Sequence, residues 1–120
     1  MPIKSGADLI AEAKTRIREV TVQQVKDQLA APGAPMLLDC REPQETNLGR
    51  LPDAIVMPRG VMETKIEAVV PRDAYLVIYC ASGNRSALMA DTLQQMGYTN
   101  VASMAGGFNA WSMSGGPVEG

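Results

Sequence analysis

The stretch Tyr75-Leu76-Val77-Ile78-Tyr79 runs apolar into a thiol, Cys80, and Ala81-Ser82-Gly83-Asn84-Arg85-Ser86 follows at once. A cysteine just ahead of a helix start, with an arginine five positions on, has the makings of a reactive thiolate. The helix N-terminus carries partial positive charge and the arginine a full one, and both lower a thiol pKa. Gly83 and Asn84 tolerate positive φ, so the loop can curl and turn its N–H groups inward. Such a nest favours an anion, here the Cys80 sulfur or something bound to it. The amides of Ala81, Ser82, Gly83, Asn84, Arg85 and Ser86 are expected to converge on that sulfur, with Ser86 as the helix N-cap. A cysteine ending a strand is otherwise a small buried apolar residue. Gly83, Arg85 and the abrupt change to a helix weigh against that alternative.

Composition limits how the thiol can be activated. The chain has no histidine and only two cysteines, Cys40 and Cys80. Within one chain this excludes Cys–His and Ser–His catalytic pairs, histidine-bearing metal sites and cysteine-ligated zinc. Backbone dipoles and cations must do the work, and no metal or organic cofactor is expected. The formal net charge of −2 gives no global pull toward nucleic acid, so local basic groups must hold any anion. No apolar run approaches the roughly 18 residues of a membrane span, so no membrane partner is expected. The N-terminal stretch lacks a secretory apolar core, and Asp8, Glu12 and Glu19 argue against a transit peptide, which together predict a cytoplasmic protein. A length of 120 residues predicts one domain with a core of its own.

The elements that must position this chemistry can be read from caps, breakers and periodicity. Ser5 and Asp8 make a capping-box-like start to an amphipathic helix over residues 5–18, with Leu9, Ile10, Ala13 and Ile17 on one face. Arg18-Glu19-Val20 reads as a short edge strand. Thr21 and Gln24 open a second helix that buries Val22, Val25 and Leu29 and stops at Ala31-Pro32-Gly33-Ala34-Pro35. Strands follow at residues 36–39 and 54–57, then a helix over residues 61–70 closed by Pro71. The helix after Cys80 ends at Gly97, a C′ glycine. A last strand spans residues 101–104, and Gly106-Gly107 turns into a short helix containing Phe108, Ala110 and Trp111. Residues 114–120 read as a flexible tail.

Strands alternating with helices predict an α/β fold: three layers, a mainly parallel five-stranded sheet with helices on both faces. In such sheets the functional crevice lies outside the carboxyl ends of the strands. Asp39-Cys40-Arg41, the Cys80–Ser86 loop and Gly106-Gly107 all fall there, so they should meet on one rim. Gly106 and Gly107 are expected to let the backbone approach the Cys80 loop. Strand alternation puts Cys40 on the opposite face from Asp39 and Arg41, which favours a buried structural residue. The sharper alternative makes Cys40 a resolving thiol for Cys80, which requires Cα atoms within about 7 Å.

Cys80-Ala81-Ser82-Gly83-Asn84-Arg85-Ser86 resembles the active-site loop Cys-x-x-Gly-x-Arg-Ser of single-domain rhodanese-type sulfurtransferases. Leu37-Leu38-Asp39-Cys40-Arg41-Glu42-Pro43-Gln44-Glu45, continuing to Gly49-Arg50-Leu51-Pro52-Asp53-Ala54, is similar to the first signature of that family. Val101 to Trp111 is similar to the closing one. The resemblance implies a rhodanese-like domain over residues 18–113, with residues 1–17 an N-terminal helical extension outside the pattern. Two departures stand out: the family's Gly-His-Ile reads Gly49-Arg50-Leu51 here, and its Pro-Gly-Ala reads Pro52-Asp53-Ala54. Cys40 stands where a small aliphatic residue is usual.

What the resemblance implies is sulfur transfer. Cys80 would take sulfane sulfur from a small anionic donor, thiosulfate or a persulfide, and pass it as a persulfide to cyanide or a thiol. Arg85 would stabilise the thiolate and meet the donor's charge, and Arg41 would approach the same pocket. The alternatives are a solvated Arg85, and an Arg41 paired with Glu42 or Glu45. Asp39 is expected to hold loop amides or Arg41. Two rival functions share these residues. One is a persulfide relay or binding module whose partner protein docks on the rim. The other is a cysteine-dependent phosphatase or arsenate reductase. Those phosphatases place arginine six positions after the cysteine; here Arg85 is fifth and Ser86 sixth, a shorter loop suited to one sulfur atom.

Overall fold

The central strand is apolar throughout because it is covered on both faces. In the computed structural model, which describes residues 3–120, the strands are β1 (Arg18–Val20), β2 (Met36–Asp39), β3 (Ile55–Val56), β4 (Leu76–Tyr79) and β5 (Val101–Met104). They pair in parallel in the order β1-β5-β4-β2-β3. The predicted α/β fold with a parallel five-stranded sheet is therefore what forms. The helices are α1 (Gly6–Arg16), α2 (Val22–Leu29), α3 (Pro43–Thr46), α4 (Arg59–Val69), α5 (Asn84–Gln95) and α6 (Gly107–Met113).

Strand periodicity divides the core in two. Leu76 and Ile78 face one way and pack with Met62, Ile66, Met89 and Leu93 from α4 and α5. Val77 and Tyr79 face the other way, against Val25 of α2 and Trp111 of α6. Fully burying a side chain such as Ile78 or Leu93 contributes about 2 kcal/mol relative to leaving it exposed. Both expected capping boxes form, Ser5 with Asp8 and Thr21 with Gln24. Gly97 adopts φ +93 just past the C-terminus of α5, as a C′ glycine should.

Two expectations are corrected, those on Ser86 and on the tail, and the first helix packs as a surface helix. The amphipathic face of α1 is only partly covered: Ala13 is fully buried but Leu9 stays 47% exposed. Polar contacts also tie that helix to α5: Arg16 donates to both carboxylate oxygens of Asp91 and Gln94 donates to Arg16 O. Ser86 is not the N-cap of α5. Gly83 takes that place in the left-handed region, and Ser86 lies buried in the first turn. The tail is docked rather than loose, because Arg50 and Glu119 exchange two backbone hydrogen bonds and the Trp111 indole donates to Pro117 O.

Candidate active site

Cys80 directly follows β4, the most buried strand of the sheet, and its side chain is 1% exposed. The chain then turns sharply through Gly83, whose φ of +99 few other residues adopt. This turn aims the Gly83 amide at Cys80 Sγ at 3.1 Å, and the first turn of α5 adds the Ser86 amide at 3.5 Å. The Ser86 hydroxyl also lies 3.5 Å from Sγ and 2.8 Å from Ser103 Oγ. With a thiolate able only to accept, Ser86 donates to sulfur and accepts from Ser103. Of the six amides expected to converge, those of Gly83 and Ser86 bond the sulfur. Ser82 and Asn84 are exposed on the rim, and the half-buried Ala81 turns its carbonyl to the Asn109 amide at 3.0 Å.

These contacts bring the Cys80 thiol down to about 4. The largest contribution comes from the neighbouring Cys40 thiol, followed among the favourable ones by the Ser86 hydroxyl and the amides of Ser86 and Gly83, all against the cost of burial. Cys40 moves the opposite way. Its interaction with the Cys80 sulfur and its burial push its thiol far above the ordinary range, so it keeps its proton. Cys40 is fully buried, in the same core cluster as Cys80.

Close backbone approach seals the back of the loop. Phe108 N–H donates to Cys80 O at 2.7 Å, on the far side of Gly106 and Gly107. A Cβ on Gly107 would strike Cys80 O and come within 2.8 Å of Ala81 C. Both glycines have positive φ, so the expected close approach is present and only glycine permits it.

Each of the two arginines holds a carboxylate partner of its own. Arg41 is 4% exposed and pairs with neither Glu42 nor Glu45. Its backbone N–H and Nε donate to Asp39 Oδ1 at 2.9 and 3.0 Å, and Nη2 reaches Asp39 Oδ2 at 2.8 Å and Gly49 O at 2.7 Å. Its guanidinium also lies 4.2 Å from the Phe108 ring centroid. Arg41 thus braces two loops beside the site, and Asp39 holds it there. Arg85 is half-buried and forms a two-pronged ion pair with Glu45 at 2.8 and 2.9 Å. The Arg85 guanidinium holds the Glu45 carboxyl down at about 2.

Sequence reasoning missed two contributors. Glu45 anchors Arg85 while also closing a capping box with Glu42 at the start of α3. Ser103 is a fully buried hydroxyl in an otherwise apolar strand, and that polarity was the available signal. The nearness of Cys40 to Cys80, an alternative in the sequence, follows from the pairing of β2 with β4. Among the described residues no cluster of histidine, cysteine or carboxylates could hold a metal, and no helix is long and apolar enough to cross a membrane.

A recessed thiolate at the carboxyl rim of a parallel sheet, held by loop amides, defines a class of cysteine-centred α/β domains. The chain belongs to the rhodanese-like domain family, whose pattern matches residues 21–114. It is 33% identical over 102 residues to a sulfurtransferase of Allochromatium vinosum, covering 85% of this chain and 94% of that protein. Its fold superposes with a TM-score of 0.85 and 33% identity on a Rhodopseudomonas palustris protein of unknown function termed a possible tyrosine phosphatase, covering 99% of each chain. A rhodanese-related protein from Thermoplasma volcanium gives a TM-score of 0.77 at 30% identity, covering 85% of this chain and 97% of that one.

Proposed function

We propose that the protein is a sulfurtransferase working through a Cys80 persulfide. The Cys80 thiolate attacks the outer sulfur of a small sulfane donor, with thiosulfate the first choice. The S–S bond of the donor breaks and sulfite departs with the bonding pair. The product is Cys80–S–S⁻, whose terminal charge takes over the amides of Gly83 and Ser86 that served the thiolate. A thiol or cyanide then attacks the terminal sulfur and restores the Cys80 thiolate. Arg85 meets the donor's negative charge, while Arg41 and Asp39 keep the rim in shape. Two free thiols suit a reducing compartment, and the cytoplasm is the place proposed for it.

The observation that carries this reading is the sulfur itself: Sγ accepts from the Gly83 and Ser86 amides at the N-terminus of α5, without imidazole anywhere in the chain. The same observation suits sulfur better than phosphate, because Ser86, not an arginine, occupies the sixth position after Cys80 and its amide points at Sγ. Thiosulfate treatment should add one sulfur to Cys80 by intact-mass analysis, and Cys80→Ser should take up none. A thiosulfate:cyanide assay run beside a phosphatase assay separates the two chemistries. Phosphatase turnover without sulfur uptake, or undiminished activity in Cys80→Ser, overturns the proposal. Slow turnover with cyanide but fast exchange with a persulfidated protein would assign the transfer to a sulfur-relay partner.

A further inference from the structure

β2 and β4 are neighbours in register, with Leu38 opposite Ile78 and Asp39 opposite Tyr79. The next pair in that register is Cys40 and Cys80. The ladder continues far enough to place them, since Cys40 N–H donates to Tyr79 O at 3.0 Å. Adjacent strands lie about 4.8 Å apart, inside the Cα separation of about 4.4–6.8 Å that a disulfide accepts. Register partners on parallel strands point to the same face, and both cysteines belong to the cluster containing Leu38 and Ile78. Two thiols in a chain with no other cysteine therefore stand side by side at the end of the sheet.

We propose that Cys40 is the resolving thiol of this site: it attacks the inner sulfur of a Cys80 persulfide, forming a Cys40–Cys80 disulfide and releasing hydrosulfide. This rests on the sulfurtransferase reading and adds a second outlet to it. The inner sulfur is the one Cys40 meets. Cys40 is fully buried beneath the rim, whereas the terminal sulfur lies among the loop amides at the mouth. The step balances as Cys80–S–S⁻ plus Cys40–SH giving Cys40–S–S–Cys80 plus HS⁻. The Cys40–Sγ bond forms, the Sγ–Sδ bond of the persulfide breaks, and the Cys40 proton leaves on the hydrosulfide. The terminal sulfane sulfur is reduced, and the two cysteine sulfurs are oxidised to the disulfide. A small dithiol or a dithiol protein reduces that disulfide and resets the site.

Loading is also what triggers Cys40. In the resting site the Cys80 negative charge sits beside the Cys40 thiol and keeps it protonated. Sulfur transfer carries that charge outward by one S–S bond, about 2 Å, and relieves the repulsion that opposed a Cys40 thiolate. An acceptor arriving promptly takes the terminal sulfur. Without one, Cys40 discharges it.

The test loads wild type and Cys40→Ser with thiosulfate, removes excess donor, and follows intact mass and free sulfide. Wild type should release one hydrosulfide per chain and end two hydrogens lighter than the reduced protein, with a cross-linked Cys40–Cys80 peptide. Cys40→Ser should hold its added sulfur about tenfold longer or more. Equal persulfide lifetimes, without a cross-linked peptide, overturn the inference and leave the proposed function standing. An arm with diamide, a thiol oxidant, needs no sulfur loading: an intramolecular cross-link supports the pairing, and two thiols left free in the monomer overturn it. Failure of both proteins to load thiosulfate counts against the proposed donor chemistry, while the diamide arm still decides the pair.

Discussion

The guanidinium of Arg85 lies fork to fork on the carboxylate of Glu45, at 2.8 and 2.9 Å, joining the first turn of α5 to the short helix α3. The cation nearest the thiol in sequence is thereby aimed by a residue forty positions earlier. Replacing Arg85 by lysine keeps the charge but loses the planar fork. The specificity constant for thiosulfate should fall about tenfold in Arg85→Lys, which steady-state kinetics will read. An unchanged value removes Arg85 from donor binding.

The same pair has a pH signature. Glu45 titrates at about 2 in the folded protein, below its ordinary value of 4.5, so its share of stability is present above that ordinary value and is lost as pH falls toward about 2. Thermal melts of wild type and Glu45→Gln should differ at neutral pH and converge by about pH 2. Parallel curves across that window would mean that the pair is broken in solution.

Cys80 should be a thiolate throughout the neutral range, with its ultraviolet thiolate absorbance half lost at about pH 4. Cys40→Ala removes the neighbour that contributes most to lowering that thiol and should move the midpoint upward by about one pH unit, the equivalent of about 1.4 kcal/mol. Ser86→Ala should move it the same way. A wild-type midpoint near that of free cysteine, about 8.5, would refute the electrostatic account of the site.

Asp39 and Arg41 are a buried ion pair with side chains 0% and 5% exposed. Asp39→Ala leaves the Arg41 charge without its partner, which costs about 3–5 kcal/mol. Urea denaturation at neutral pH checks this. A loss below about 1 kcal/mol would place the pair among surface bridges.

Gly107→Ala should be damaging out of proportion to its size. The added methyl meets main-chain atoms of Cys80 and Ala81 rather than a flexible side chain, at a φ of +56. We expect about 2–3 kcal/mol lower stability. Sulfur uptake should also drop, because the Phe108 amide would be pushed off Cys80 O. Wild-type uptake in a folded Gly107→Ala protein would separate this turn from the site.

Much of this architecture was legible in the chain because the signals were local. Thr21 and Gln24 cap one another within a single turn, and Leu76-Val77-Ile78 has no polar residue to expose. The Cys80 loop announced itself by residue type and spacing. What escaped depended on partners distant in sequence. Arg85 found Glu45 and Arg41 found the Gly49 carbonyl across loops, while the placing of Cys40 beside Cys80, an alternative in the sequence, follows from β2 lying beside β4. Ser86 was misread because a left-handed Gly83 can start a helix without a side-chain cap, freeing the hydroxyl for sulfur. The tail looked loose because its anchors, Arg50 and Trp111, lie elsewhere in the chain.

Under the proposed sulfur transfer, the recessed position of Cys80 would make the outline of the protein depend on its cargo. Empty, the nucleophile is a sunken electron pair that bulky reagents cannot touch, so the resting protein resists large alkylating agents while admitting a slender donor. Under the proposed sulfur transfer, one extra atom on Sγ would add a reach of about 2 Å toward the lip. On that reading a partner would distinguish a charged carrier from a spent one by fit.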